Sequence, residues 1–338
     1  MEKKILPLTE PLIATYQGNS FVLGVLLSHE NVKNAYLNGY YNLQCHRTND
    51  SFKSNIDFCN ALWEDFRLSG IAEMDLYHVC NIAKEKFSGF IKERIDQDNY
   101  ILFYYVDVYY LPHSRFYNTH HDIHDLYVFG YEDDCLWAYA YSDKNNKMQK
   151  IKVLISDVIK GLYVLEDRLD FCSFRVNHKA DVKVDRSEIV SQIKNYLAAT
   201  TRILEPEMIY GVGVYDAVLS ILKKELEREG NFIKSGMTNA QQVICNREEV
   251  IDMRVFRALY DHKLVLKDHL TTLFGGTPEY QEITDEAEKI EFMAKEMFYQ
   301  MIKYCMTGKK SLIEHVMKLN CCIRDEEGAM LKKVIEIL

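Results

Sequence analysis

The sequence predicts an α+β protein, with N-terminal helices and an antiparallel sheet followed by a helical C-terminal part. Three observations lead to this fold class. Aromatic and β-branched segments follow one another between residues 100 and 155. The segments after about residue 165 have apolar residues at helical spacing. The chain of 338 residues contains only 5 Pro and 15 Gly, which leaves room for long regular elements. At about 150 residues per domain we expect two domains, 1–165 and 166–338.

The N-terminal elements alternate between extended and helical patterns. Residues 5–17 contain two prolines and are expected to be extended. A helix is expected to open near Asn19-Ser20, because both residue types are good N-caps. From Asp75 the apolar residues follow i, i+3, i+4, i+7 spacing, which predicts an amphipathic helix ending near Asp96.

Four strands and then a series of helices are predicted in the remainder. The strands are expected at 100–110, 124–131, 135–141 and 149–155, as an antiparallel meander with a tight turn at 132–134. Helical periodicity covers 187–198, 214–229, 240–274, 285–306 and 311–338.

Composition and charge argue against several classes of protein. Lys plus Arg total 41 against 50 for Asp plus Glu, so the net charge of −9 argues against nucleic-acid binding. No run of 18 apolar residues predicts a membrane span, and the first residues do not look like a signal peptide, so we expect a cytoplasmic protein. The nine cysteines are an odd number and form no CxxC pair, which indicates reduced thiols and no thiolate zinc site.

The strands at 124–131 and 135–141 place a histidine and an aspartate at neighbouring strand ends. His124 opens the first strand, and Asp143 follows the second. Antiparallel pairing brings these two ends side by side, where Asp143 could fix the imidazole tautomer. A core histidine bonded to Asp143 is the alternative. His120 and His121 have poor spacing with His124 for a metal site, so no metal is expected.

The residues of this region resemble a known family of acyltransferases. They form the pattern Asp107-x-x-Tyr-Leu-Pro112, then His121-x-x-His124 with Gly130-Tyr131, then Asp143. This pattern is similar to the catalytic hairpin of papain-like cysteine peptidases and, more closely, to the butirosin biosynthesis protein H family. It also resembles thiotemplated amide synthases.

The resemblance implies a papain-like fold, a reaction and a set of partners. Members transfer an acyl group from a carrier-protein thioester to an amine and so form an amide. No cofactor is expected to bind directly, because the phosphopantetheine thioester arrives on an acyl or peptidyl carrier protein. A small-molecule amine would be the acceptor. Asp107 is expected to support the site structurally, or simply to form hydrogen bonds at a strand end.

The resemblance also implies a cysteine nucleophile at the start of the first helix, but the matching position here is Gly18. Either a cysteine at 18 has been replaced, or the chain is a non-catalytic relative, or Ser20 acts as the nucleophile. His124 would be the base, Asp143 would orient it, and the backbone around Gln17 and Asn19 would hold the oxyanion.

Several alternatives to the acyltransferase interpretation remain open. A peptidase-like hydrolase could use the same residues, and a non-catalytic binding protein would account for Gly18. A tyrosine-rich strand suggests a pocket wall or a homodimer surface, and a strand with one aromatic face in the core explains it equally well. A basic stripe on one predicted helix could dock an acidic carrier protein, although a solvated helix face is the alternative; its members are Arg247, Arg254, Arg257, Lys263 and Lys267.

Overall fold

The computed structural model describes residues 2–46, 56–59, 70–142, 147–165, 170–202, 204–227 and 251–338. The chain forms two compact units. Unit 1 comprises Met1–Tyr36 and Leu62–Lys183, and unit 2 comprises Leu37–Ala61 and Val184–Leu338. None of the described helices combines the length and apolarity needed to cross a membrane.

Helices and strands both contribute extensively, so the α+β class is confirmed. The helices are α1 (Gln17–Leu27), α2 (Asn34–Leu37), α3 (Phe87–Asp96), α4 (Ile155–Tyr163), α5 (Arg186–Leu197), α6 (Gly213–Glu227), α7 (Arg254–Phe274), α8 (Gln281–Thr307) and α9 (Lys310–Ile337). The strands are β1 (Lys3–Ile5), β2 (Leu43–His46), β3 (Asp57–Phe58), β4 (Ala72–His78), β5 (Tyr100–Asp107), β6 (Ile123–Glu132), β7 (Cys135–Ser142), β8 (Lys147–Leu154), β9 (Asp170–Val176) and β10 (Met208–Tyr210).

Unit 1 is built around an antiparallel sheet with the strand order β4-β9-β5-β6-β7-β8. Strand β6 is the longest of these, and β5 and β1 pair with different parts of it. The β6–β7 hairpin has its turn at Asp133, which has a φ of 51°. The predicted meander is therefore present, and its four strands lie within a few residues of their expected positions.

Helices cover both faces of this sheet. Phe21 of α1 lies with its ring centroid 5.9 Å from that of Tyr100 on β5. Phe87 of α3 contacts Phe103, with centroids 6.1 Å apart. Residues 100 and 103 face opposite sides of β5, because successive side chains alternate along a strand. The aromatic residues of the strands are therefore mostly core residues of a helix-covered sheet.

Unit 2 is mainly helical, as its sequence predicts. The long helices α7, α8 and α9 pack in sequence order, and α5 and α6 pack against α9. A small sheet with the order β10-β2-β3 completes the unit. Gly308 ends α8 in the left-handed conformation, with a φ of 67°, and its N–H bonds to the Tyr304 carbonyl at 2.8 Å. Of the predicted helix 240–274, residues 240–250 lie outside the described residues.

Two elements differ from the sequence prediction because of strand pairing. The helix expected from Asp75 begins only at Phe87. Residues 75–78 belong to β4, and two short 3-10 turns, Val79–Asn81 and Lys84–Lys86, follow it. Strand β4 pairs along its whole length with β9, which lies in the region expected to be helical. The β4–β9 pairing joins segments about a hundred residues apart, and local periodicity carries no information about such a partner.

The division into units also differs from a single boundary at residue 165. Strand β9 lies inside the sheet of unit 1, between β4 and β5. Residues 37–61 belong to unit 2 through β2, which pairs with β10.

Candidate functional site

The start of α1 is anchored to the sheet of unit 1 by Gln17. Its side-chain amide donates to the carbonyl oxygens of Asp125 on β6, at 3.2 Å, and of Tyr139 on β7, at 3.0 Å. These two bonds use both hydrogens of the amide. The side chain of Gln17 therefore positions the helix on the strands and is not available to an oxyanion.

Helix α1 begins two residues earlier than the Asn19-Ser20 signal predicts. Tyr16 is the N-cap, with extended backbone angles and no capping bond from its side chain. The first intrahelical bond runs from the Ser20 N–H to the Tyr16 carbonyl, at 3.0 Å. The amides of Gln17, Gly18 and Asn19 precede that bond, at the positive end of the helix dipole. This is where the sequence places the oxyanion donors.

Gly18 is the second residue of α1 and faces Tyr127 of β6. A Cβ atom added at position 18 would lie 3.2 Å from the Tyr127 hydroxyl. That separation is tight but not a collision, so a small side chain fits after a shift of a few tenths of an ångström. Any side chain at position 18 would therefore project towards β6, the strand that carries His124.

His124, near the start of β6, forms an oriented pair with its neighbour Asp125. Its Nδ1 lies 2.5 Å from Oδ1 of Asp125, while about half of the imidazole is exposed. The hydrogen bond to Asp125 raises the pKa of His124 above its ordinary value, and the negative charge of Asp125 adds to this effect. In the neutral ring, Nδ1 carries the proton and Nε2 keeps its lone pair. This is the state that a general base requires.

Asp125 in turn connects His124 to the start of α1. Burial disfavours its ionised form, but the bond and charge of His124 and the bond from Tyr127 outweigh that penalty. The pKa of Asp125 is accordingly lowered. Burial, followed by the charge of Asp125, raises the pKa of Tyr127 well above its ordinary value, so Tyr127 keeps its proton and donates it. Position 18, Tyr127, Asp125 and His124 thus form one continuous group.

Asp143 and Ser20 are the two other residues that the sequence predicts for this site. Asp143, the predicted partner of His124, lies outside the described residues, so its role stays a prediction. Among the described residues, Asp125 holds Nδ1. Ser20, the alternative nucleophile, is fully buried, and its hydroxyl donates to the Ile13 carbonyl at 2.6 Å. A hydroxyl that is buried and already bonded is poorly placed to attack a substrate, which argues against that role for Ser20.

Asp107 holds His121, the first histidine of the motif. One carboxylate oxygen accepts the Tyr109 N–H at 3.0 Å, and the other lies 2.6 Å from Nδ1 of His121. The imidazole stacks on the Tyr109 ring, with centroids 4.2 Å apart, and remains exposed. Asp107 itself is buried at the end of β5, directly opposite Ile123. It therefore orients the histidine loop that leads into β6.

The predicted basic stripe is not present as a free surface among the described residues. Its lysines and arginines are each matched by a carboxylate: Arg254 by Asp252, Arg257 by Asp261, Lys263 by Glu327 and Lys267 by Glu291. Arg247 lies outside the described residues. Lys263 is fully buried, because its helix position faces the interior of unit 2. Lys263 therefore cannot belong to a docking surface, whereas a docking role for Arg254, Arg257 and Lys267 stays a prediction.

Asp125 and Tyr127 belong to this group of residues but were not predicted from the sequence. The signal was present in the segment His124-Asp125-Leu126-Tyr127, because residues two apart on a strand share a face. Within the described part of the chain, no three His, Cys, Asp or Glu side chains converge in a way that could hold a metal ion.

Comparisons with known proteins identify no relative of this chain. No protein-family model matches the chain, and no curated protein matches it either.

Proposed function

We propose that unit 1 transfers an acyl group from a thioester to an amine and so forms an amide. The observation that carries this proposal is the His124–Asp125 pair, with Nδ1 held at 2.5 Å and about half of the imidazole exposed. The pair opens β6, the strand to which Gln17 fixes the start of α1. A base and a set of helix-terminal amides on neighbouring elements are what acyl transfer requires.

The reaction proceeds without an acyl-enzyme in this chain. Gly18 has no side chain, and the Ser20 hydroxyl is buried and bonded to Ile13. The amine nitrogen attacks the thioester carbon directly, while Nε2 of His124 takes the proton that the nitrogen loses. The carbon–sulfur bond then breaks, and the thiolate leaves with the proton returned by the imidazolium. The products are one amide and one free thiol.

The substrates follow from this chemistry and from the family resemblance. The donor is a phosphopantetheine thioester on an acyl or peptidyl carrier protein, and the acceptor is a small amine. A thioester is already activated, so the step needs no nucleotide. A helix that precedes an antiparallel sheet, with position 18 at its start and His124 opening a strand, supports a papain-like arrangement of unit 1.

The test is an assay of amide formation with acyl-pantetheine thioesters and a panel of primary amines, using mass detection of products. We expect amide from the wild-type chain and a rate about 10²–10⁴-fold lower for His124→Ala. His78→Ala is the matched control, because His78 is also half-exposed and paired with an aspartate, Asp170, but lies on β4. An equal loss in both variants, or no amide with any donor, would contradict the proposal. Free acid formed equally fast without amine would identify a hydrolase instead.

Gly18 also favours a second candidate, a non-catalytic binding protein derived from a cysteine enzyme. Amide formation by the wild-type chain separates the two possibilities. The Gly18→Cys variant tests a different point, whether position 18 is the nucleophile position, and the new Cβ needs only a small shift of Tyr127. If position 18 is the nucleophile position, the variant should gain the acyl group as a mass adduct, and His124→Ala should slow that gain. A chain that forms neither adduct nor amide, yet binds the thioester, fits the non-catalytic candidate.

A further inference from the structure

Helix α8 carries an exposed apolar stripe on unit 2. Phe292, Tyr299 and Met306 are exposed by 64%, 50% and 62% of their surfaces. They are seven residues apart, so they lie one above the other on a single face of the helix. The stripe is about 21 Å long, from a rise of 1.5 Å per residue. Large apolar side chains aligned at this spacing are typical of a surface that receives another helix.

Two lysines lie on the same face between these apolar residues. Lys295 and Lys303 are exposed, and neither ammonium group forms an ion pair with any described residue. Lys289 on the same helix is different, because its ammonium pairs with Glu326 at 2.7 Å. From Phe292 to Met306 the stripe thus carries two lysines that no described carboxylate pairs with, whereas the exposed acids of this face, Asp285 and Glu288, lie before Phe292. The chain as a whole has a net charge of −9.

The sides of α8 next to this face are already occupied. Glu291 accepts from Lys267 of α7 at 3.1 Å, and Glu296 lies 2.8 Å from His315 of α9. The Phe298 ring stacks with Tyr260 of α7, with centroids 6.3 Å apart. Residues on both flanks therefore contact neighbouring helices, whereas Phe292, Tyr299 and Met306 remain exposed over at least half of their surfaces.

We propose that this stripe docks an acidic amphipathic helix of a partner protein. Apolar side chains seven residues apart on the partner would cover Phe292, Tyr299 and Met306, and flanking carboxylates would pair with Lys295 and Lys303. Charge also decides against a second copy of this chain. Two copies paired through the stripe would bring four ammonium groups into one interface, and like charges there are strongly unfavourable. The inference does not depend on the acyl-transfer proposal.

The test uses two synthetic helical peptides and the full chain. Both peptides carry leucines at seven-residue spacing; glutamates flank the leucines in one and lysines in the other. We expect the acidic peptide to bind, with an affinity that falls as salt is added, and the basic peptide not to bind. The double variant Lys295→Glu/Lys303→Glu should weaken binding of the acidic peptide about tenfold or more. Phe292→Ser should weaken it at any salt concentration.

The matched control is Lys318→Glu/Lys332→Glu, two exposed lysines that are also unpaired among the described residues and lie on α9. No large apolar side chain is exposed among the described residues of that helix, so this variant should bind the acidic peptide as the wild type does. Equal weakening by both double variants would overturn the proposal, as would no binding of the acidic peptide at about 1 mM. A wild-type dimer that Phe292→Ser dissociates would also overturn it, because a second copy would then cover the stripe.

Discussion

The ammonium group of Lys263 lies 2.7 Å from Nδ1 of His262, its neighbour in sequence, in the fully buried interior of unit 2. An ammonium group can only donate, so Nδ1 accepts and His262 carries its proton on Nε2. That nitrogen donates to the Tyr41 carbonyl at 2.9 Å. The arrangement fixes both the tautomer and the neutral state of this histidine.

Glu327 completes the same buried network, and we expect its loss to be costly. It pairs with Lys263 and accepts the hydroxyls of Tyr196 and Tyr215, each at 2.7 Å. Glu327→Gln leaves the ammonium of Lys263 buried without its counter-charge. We expect the free energy of unfolding to fall by about 3–5 kcal/mol, measured by urea denaturation. The double variant Lys263→Met/Glu327→Leu should lose less than the two single variants together, and additive losses would mean that the pair is not coupled.

Acid should destabilise unit 2 through His262. Burial, followed by the charge of Lys263, lowers the pKa of His262 to about 3, against 6.5 in an unfolded chain. Between these values the unfolded chain binds a proton that the folded chain does not. The contribution of neutral His262 to the free energy of unfolding is fully present above pH 6.5. It is lost as the pH falls towards 3, by up to about 1.4 kcal/mol per pH unit. Unfolding measured from pH 7.5 to 5 should show this slope.

The control for that slope is His262→Gln. The glutamine amide can donate to Tyr41 and accept from Lys263, but it does not titrate. We therefore expect this variant to be folded. Its unfolding should take up about one proton less than that of the wild type, so its free energy of unfolding should depend less steeply on pH. An unchanged slope would assign the acid sensitivity to other groups.

The fold could be predicted where strands that are neighbours in the sheet are also consecutive in the sequence. Strands β5 to β8 follow one another in sequence and pair with their neighbours, so composition and turn residues were sufficient. Strand β4 was predicted as helix, because its partner β9 is distant in sequence. Lys263 was wrongly placed on a basic surface stripe for a related reason. Spacing places Arg257 and Lys263 on a helix, but only packing shows that Asp261 and Glu327 neutralise them.

The candidate site residues can be proposed from the sequence, but their contacts cannot. The sequence singled out position 18, His124 and Asp107. Which carboxylate orients which histidine depends on side-chain rotation at a strand start, and residue spacing does not determine it. Asp107 bonds to His121, while Asp125 bonds to His124.

The activity should depend on pH through His124. Its pKa is raised, first by the hydrogen bond to Asp125, so the neutral base accumulates at a higher pH than in an ordinary histidine. We expect the rate of amide formation to rise with pH through that raised pKa. Asp125→Asn should move this increase in rate to lower pH, because the negative charge that raises the pKa of His124 is lost. The maximum rate should also be lower. Asp122→Asn is the control and should shift the rise less, since Asp122 contributes the smallest of these effects. Equal shifts in both variants would remove Asp125 from its orienting role.

The close approach of α4 to β5 should make Gly161 intolerant of any side chain. An added Cβ would lie 2.8 Å from the carbonyl oxygen of Asp107 and 2.8 Å from a methyl carbon of Val106. Because the contact is with backbone, relief requires α4 or the end of β5 to move, and Asp107 would move with it. We expect Gly161→Ala to lower the free energy of unfolding by about 1–3 kcal/mol. Gly89→Ala on α3 meets nothing within 4 Å and should stabilise the chain by about 0.5–1 kcal/mol. Urea denaturation of the two variants checks this, and equal stabilities would show that α4 does not press against Asp107.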